Sequence, residues 1–292
     1  MSLNFNVDPY YDDFDQTKNF HRILFKPGKA VQARELTQSQ TILQDQITKF
    51  ADNIFKQNSP VTGGQVTTNF DCYYIKLQTT YNNTNIDVTD FDNLLITNAT
   101  GTVIARVIAV AAATGTAGEG DPPTIIVSYK TGNHFQNNDV IYDVNSNLAA
   151  QAIVSGATGQ SSTASIAQGV FYILGNFVQI QASTIILDKY GKTPSKRIGL
   201  SITETIYDYI NDPSLLDPAV GASNYQAPGA DRYVISLALD TRPIQLGDDQ
   251  NFVELVRVTD GQVSPLVTGS VYNVIDDYFA KRDYETNGDY VV

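Results

Sequence analysis

The side chains able to do chemistry are few and badly spaced for it. Adjacent carboxylates occur at Asp12-Asp13, Asp248-Asp249 and Asp276-Asp277. A glycosidase needs two carboxyls held across a sugar several ångström apart, whereas neighbours in a strand or loop point away from each other. The segment from Asp143 opens like a calcium loop, with Asp143, Asn145 and Asn147 at alternate positions. It then places Leu148 where that loop requires glycine and Val154 where the bidentate glutamate belongs. "GTAGEGDPP" is glycine-rich but has no Lys-Ser or Lys-Thr after it, so it makes no phosphate loop. Two histidines, His21 and His134, and one cysteine, Cys72, leave little material for a zinc site, and no nucleophile motif accompanies either histidine. Cys72, between Asp71 and Tyr73-Tyr74, reads as a buried small hydrophobe. The residue types therefore predict no enzyme, no metal and no cofactor.

Composition points to contact instead of catalysis. The chain has 292 residues, a net charge of −12, 42% hydrophobic and 17% charged residues, which fits a folded protein of more than one core. Its acidity opposes binding to nucleic acid or an anionic bilayer. The longest apolar stretch, around Val103 to Ala113, is interrupted by Arg106 and too short to cross a membrane. The polar, acidic start lacks the pattern of a secretory signal, and the single cysteine fits a reducing compartment. Seventeen tyrosines and no tryptophan, among many Asn, Gln and Thr, suit wide polar interfaces, and would also suit a sugar-binding face.

The elements that would present such surfaces follow from periodicity. Residues 1–29 form an arm that is aromatic and acidic, with Tyr10, Tyr11, Phe14 and Phe20 interleaved among Asp12, Asp13 and Asp15. Residues 30–57 contain neither Gly nor Pro and predict one long helix. Numbered in heptads, it places Ala33, Gln40, Ile47 and Ile54 at one seam position and Leu36, Leu43 and Phe50 at the other. Such a stripe either docks the helix on its own domain or forms a short self-associating seam in which Gln40 sets register. Short strands then recur at about ten-residue spacing over 91–160, predicting a small inserted β-barrel or sandwich. A two-residue hairpin is expected at Gly175-Asn176 and another tight turn at Asp260-Gly261. The proline-rich stretch 209–232 predicts a long structured loop, and a final short helix is expected within 272–285.

Three stretches resemble a known family: "YYDDFDQTKNFHRILFKPGKAVQARELTQSQTILQDQITKFADNIFKQNSPVTGG", "PSKRIGLSITETI" with "DPSLLDPAVGASNYQAPGADRY", and "RDYETNGDYVV". Together they look like the tail and baseplate structural proteins of T-even-like and cyanophage-type contractile-tailed bacteriophages. The resemblance implies a structural virion protein at the baseplate periphery or the base of a tail fibre, assembled in the host cytoplasm. It implies a homotrimer in contact with other baseplate and tail-fibre proteins. The alternatives are a module binding host surface glycan and, more remotely, a polysaccharide depolymerase. The motif residues it marks for fold and assembly are Arg34, Glu35 and Leu36, and then Asn224, Tyr225, Pro228, Gly229, Asp231 and Arg232, with Asp231 and Arg232 expected to pair across a turn. After the turn signal at Asn287-Gly288, Tyr290, Val291 and Val292 read as the start of a strand, and the resemblance implies further β modules beyond Val292.

The expected fold is thus α+β and β-dominated: an N-terminal arm and one long helix for attachment (1–60), a core β domain (61–90 and 161–232), an inserted small β domain (91–160) and C-terminal strands with a short helix (233–292). The arm between Asn4 and Phe25 has too few contiguous apolar residues to fold alone, so it is expected to order only on a partner.

Overall fold

The computed structural model describes residues 3–115, 120–145, 148–245, 249–264 and 274–288. In chain order it contains α1 (Ala33–Asp52), β1 (Ser59–Gly63), β2 (Val66–Lys76), β3 (Thr80–Tyr81), β4 (Thr84–Asn85), β5 (Leu95–Asn98), β6 (Ile104–Ala111), β7 (Thr124–Thr131), β8 (Val140–Asp143), β9 (Ala149–Gln151), β10 (Thr158–Ile166), β11 (Gly169–Ile173), β12 (Asn176–Ile180), β13 (Ser183–Asp188), β14 (Lys196–Tyr207), β15 (Arg232–Pro243), β16 (Phe252–Thr259), β17 (Gln262–Ser264) and α2 (Val274–Asn287). Strand makes up 43% and helix 15%, so the α+β, β-dominated class is the one observed.

The largest sheet runs β13-β10-β2-β7-β6-β5-β8-β9, and every pair in it is antiparallel. Its centre is β7, where Thr124 to Val127 are all fully buried. A run buried on both faces needs apolar residues on both, which is why "TIIV" does not alternate. Ile125 and Val127 enter a core with Ile75, Phe91, Ile96 and Phe135, while Ile126 meets Cys72 and Ala109 on the other face. Cys72 is fully buried, and burial pushes its thiol pKa up.

The inserted barrel or sandwich expected over 91–160 does not appear as a closed barrel. Strands β5 to β9 extend the same sheet as β2 and β10, and the sheet curls until Leu77 meets Ala152 in a single bridge, without a closed ladder. The insertion joins through β7, whose pairing with β2 is long-range and has no local sequence signature.

A second core lies where the three-stranded sheet β1-β11-β12, the four-stranded sheet β15-β14-β16-β17 and the β13-β10 edge of the largest sheet meet, around Phe171, Ile173, Leu187, Ile198, Leu200 and Val258. In the latter sheet β14 and β15 pair along twelve residues, Lys196 with Pro243 through Tyr207 with Arg232, a ribbon about 40 Å long. Buried Arg197 braces its base: its guanidinium donates to Asp249 at 2.5 and 3.2 Å and to the Pro243 carbonyl at 2.8 Å. The Asp260-Gly261 turn is as expected, both residues having positive φ. The β11–β12 turn is not at Gly175-Asn176 but one residue earlier, because Ile173 pairs with Asn176 and leaves Leu174 (φ 51°) and Gly175 (φ 73°) as the two turn residues. Positive φ at both positions matches the right-handed strand twist.

Candidate assembly surface

Helix α1 begins where Gln32 caps it, the Gln32 N–H donating to Glu35 at 3.0 Å, and Arg34 holds Gln32 at 2.7 Å and Asp13 at 3.3 Å. These are the roles of the motif residues Arg34 and Glu35: they fix the start of the helix. The helix ends at Asp52, with the Asn53 side chain donating to the Lys49 carbonyl, so Ile54 falls outside it, half-buried, and is no part of its stripe.

The face that α1 turns to the body is mostly polar. Only Ile42 and Ala51 are buried on it. Around them Gln44 and Thr48 both donate to the Gly175 carbonyl, at 3.0 and 3.1 Å, and Tyr172 donates to the Thr48 carbonyl at 3.2 Å and to Asp52 at 2.8 Å. Burial together with the Asp52 carboxylate raises the Tyr172 phenol pKa well above its ordinary value, keeping it a donor. Phe55, just past the helix, stacks edge-on against Phe177.

The heptad stripe faces away. Leu36 is 52% exposed, Leu43 65%, Ile47 49% and Phe50 70%, with exposed Gln40 among them. Docking of α1 on its own domain through this stripe is therefore excluded, because the helix docks through the opposite face. The residues flanking the stripe, Thr37, Ser39, Gln44, Gln46 and Asn53, carry no charge.

The arm divides in two. Its first part is held by the chain itself, contrary to the expectation that it orders only on a partner. The Leu3 N–H donates to Glu204 at 3.0 Å, Phe5 packs edge-on against Tyr233 at 5.0 Å, and Tyr10 donates to Asp231 at 2.5 Å. Asp12, buried, accepts from Thr41 at 2.5 Å, and Asp13 accepts from Gln38 at 3.0 Å. Polar side chains fasten this segment where apolar count alone predicted none. The Asp231 hydrogen bond, with some burial, raises the Tyr10 phenol pKa to about 12. Tyr11 is exposed, its hydroxyl donating to Asp8 within the arm, and Phe14 is half-buried. Beyond it Phe20 (59%), Leu24 (77%), Phe25 (52%) and Val31 (54%) stand exposed.

The "NYQAPGADR" motif shapes the loop at the far end of the β14–β15 ribbon. Asn224 donates to Asp217, Pro228 bridges Leu216, and Gly229 donates to the Leu215 carbonyl at 3.0 Å. A Cβ on Gly229 would lie 2.4 Å from that carbonyl oxygen, so glycine is required. Tyr225 is 45% exposed. Asp231 and Arg232 do not pair: Asp231 faces Tyr10, and Arg232 folds back onto the Ala230 carbonyl at 2.7 Å.

The family model described as a domain of unknown function (DUF4815) matches residues 8–115 and 125–292. The chain belongs to this family. The break between the matched stretches falls in the connection from β6 to β7. No curated protein and no solved structure matches the chain.

Among the remaining sequence candidates, His134 is exposed and lies tilted against Tyr73 and Tyr129, ring centroids at 4.2 and 4.6 Å, as a surface histidine. Asp143 ends β8 and is buried. Among the described residues no group of three His, Cys, Asp or Glu side chains is placed to hold a metal ion. No described helix is long and apolar enough to cross a membrane. Asn147, Asp248, the side chains of Asp276 and Asp277, and the strand expected from Tyr290 lie outside the described residues. Sequence reasoning missed Gln44, Thr48 and Gly175, which set the orientation of α1, and nothing local in the sequence couples them. It also read the whole arm as acidic, although its carboxylates end at Asp15 and its cations begin at Lys18, a division visible in the sequence.

Proposed function

We propose that this chain is a structural virion protein of a contractile phage tail, part of the baseplate periphery or the base of a tail fibre. It works by protein–protein assembly and not by catalysis, self-associates as a trimer and joins other baseplate and tail-fibre proteins. The observation that supports this reading is the orientation of α1: a helix that spends its polar face on its own body and leaves Leu36, Leu43, Ile47 and Phe50 in solvent has its apolar partner elsewhere. Exposed apolar patches of this kind mark interaction sites. The heptad spacing and uncharged flanks suit a second and third copy of the same helix. The test is to image tails from particles that carry the chain. Density for α1 at a threefold contact is the expected result, and absence of the chain from purified tails overturns the reading.

One observation favours a second reading, a module for host surface glycan. Tyr207, Tyr209, Tyr225 and Tyr233, each 37–45% exposed, gather at one end of the β14–β15 ribbon. A glycan array decides it: binding that is lost in Tyr209→Ala and Tyr225→Ala supports this reading, and no binding removes it.

A further inference from the structure

Residues 16–32, "QTKNFHRILFKPGKAVQ", contain Lys18, Arg22, Lys26 and Lys29 and none of the chain's 31 Asp and Glu. Phe20, Leu24, Phe25 and Val31 are more than half exposed, Ile23 is half-buried, and the four cations are exposed and make no ion pair among the described residues. The two ends of the segment are pinned side by side, since Asp13, just before it, bonds Arg34 and Gln38, just after it. It is therefore a projecting loop, cationic and apolar at once, on a protein whose net charge is −12.

A loop of that chemistry needs an acidic seat that also offers apolar contact. The far end of the β14–β15 ribbon offers both. Its connecting loop carries Asp208, Asp212 and Asp217 without a Lys or Arg before Arg232, and it exposes Ile210 (71%) and Val220 (82%). Its carboxylates cap backbone N–H groups, Asp208 at Ile210 and Asn211, Asp212 at Ser214 and Asp217 at Ala219, so the acidic surface is built into the turns and fixed in place. Hydrogen bonding from the Ser214 hydroxyl and then from its backbone N–H holds the Asp212 carboxyl below its usual range.

We propose that the cationic loop 16–32 of one copy docks on the acidic loop 208–231 of a neighbouring copy. The two patches are different surfaces of one chain, so the contact is head-to-tail, the kind that closes into a ring when the rotation permits. Opposite charge steers the approach and apolar contact retains it. This inference rests on the reading of the chain as an assembling subunit, and adds to the α1 seam a second contact between the same subunits. An anionic membrane would attract the same loop, but the acidic body behind it would be repelled.

The experiment uses the full chain. Leu24→Cys and Val220→Cys, made separately, are mixed and treated with a short bifunctional thiol reagent; Cys72 is buried and does not compete. The expected result is a cross-linked species in the mixture that neither variant gives alone. In parallel, sedimentation velocity compares the unmodified chain with the fourfold variant Lys18→Glu, Arg22→Glu, Lys26→Glu, Lys29→Glu at low salt and at 0.5 M. Association should weaken about tenfold or more in that variant, and likewise in the unmodified chain at high salt. Asp208→Asn with Asp217→Asn, which keep the capping oxygens, should weaken it in the same direction. If association is unaffected by these changes but lost in Leu43→Asp, Ile47→Asp, the assembly reading stands and this contact is overturned. A chain that never associates overturns both. Flotation with vesicles of phosphatidylcholine and phosphatidylserine that is lost on charge reversal, while association persists, overturns the contact in favour of a membrane.

Discussion

Leu43 tests the inverted helix most directly. It is 65% exposed, so Leu43→Ala removes three carbons that are mostly in water already. The fold should lose no more than about 0.5 kcal/mol. In a trimeric seam the same three carbons would become buried. At about 0.8 kcal/mol per methylene, with about two thirds of the side chain left to cover, each copy loses roughly 1.5 kcal/mol. Three copies lose about 4.5 kcal/mol, or about three decades in the trimer association constant. The neighbouring control is Ile42, on the inward face and 3% exposed. Ile42→Ala should cost about 2–5 kcal/mol of stability and lower Tm by roughly 5–15 °C. Sedimentation equilibrium across a hundredfold concentration range, paired with thermal melts, separates the two effects. A Leu43→Ala chain that melts as low as the Ile42→Ala chain, or that associates as the unmodified chain does, refutes the argument.

Two further outcomes follow from contacts within the chain. Gly175→Ala puts a Cβ about 2.7 Å from the Thr48 hydroxyl and strains a residue at φ 73°, so α1 should lose docking by about 1–2 kcal/mol. Amide exchange should then quicken in α1 but not in β7; equal quickening in both would contradict a local effect. The folded pKa of Tyr10 is about 12 against 10 for a free phenol, so its contribution to holding the arm is complete below pH 10 and is lost as pH rises toward 12. Proteolysis near residues 3–15 should rise over that window and already be raised at pH 8 in Tyr10→Phe. An arm equally resistant in both forms and throughout that range would refute the clip.

Local signals were legible and long-range ones were not. The Asp260-Gly261 turn lies beside its own strands, where glycine and apolar runs declare it. The β11–β12 turn was displaced by one residue because Leu174 occupies positive φ, a cost that sequence does not advertise and that closure of a two-residue turn imposes. The supposed barrel failed for another reason: the pairing of Tyr73 with Val127, which merges the insertion into the main sheet, depends on register across a long separation. For the candidate surface, periodicity correctly grouped Leu36, Leu43, Ile47 and Phe50 on one face of α1. It could not say which way that face points, since the deciding bonds run to Gly175 and Tyr172, far along the chain.

Those bonds act as an angular key. Apolar contacts tolerate slip and rotation, whereas Gln44 and Thr48, one turn apart, must both aim at a single carbonyl oxygen, which admits one rotation of α1 about its axis. Each residue advances a helix by about 100°, so deleting one residue between Leu36 and Gln44 would swing Leu36 out of line with Leu43 while leaving composition and helix content nearly unchanged. Every copy of the chain thus presents its stripe at the same azimuth. An assembly can then inherit its symmetry from one glycine carbonyl in the turn between β11 and β12.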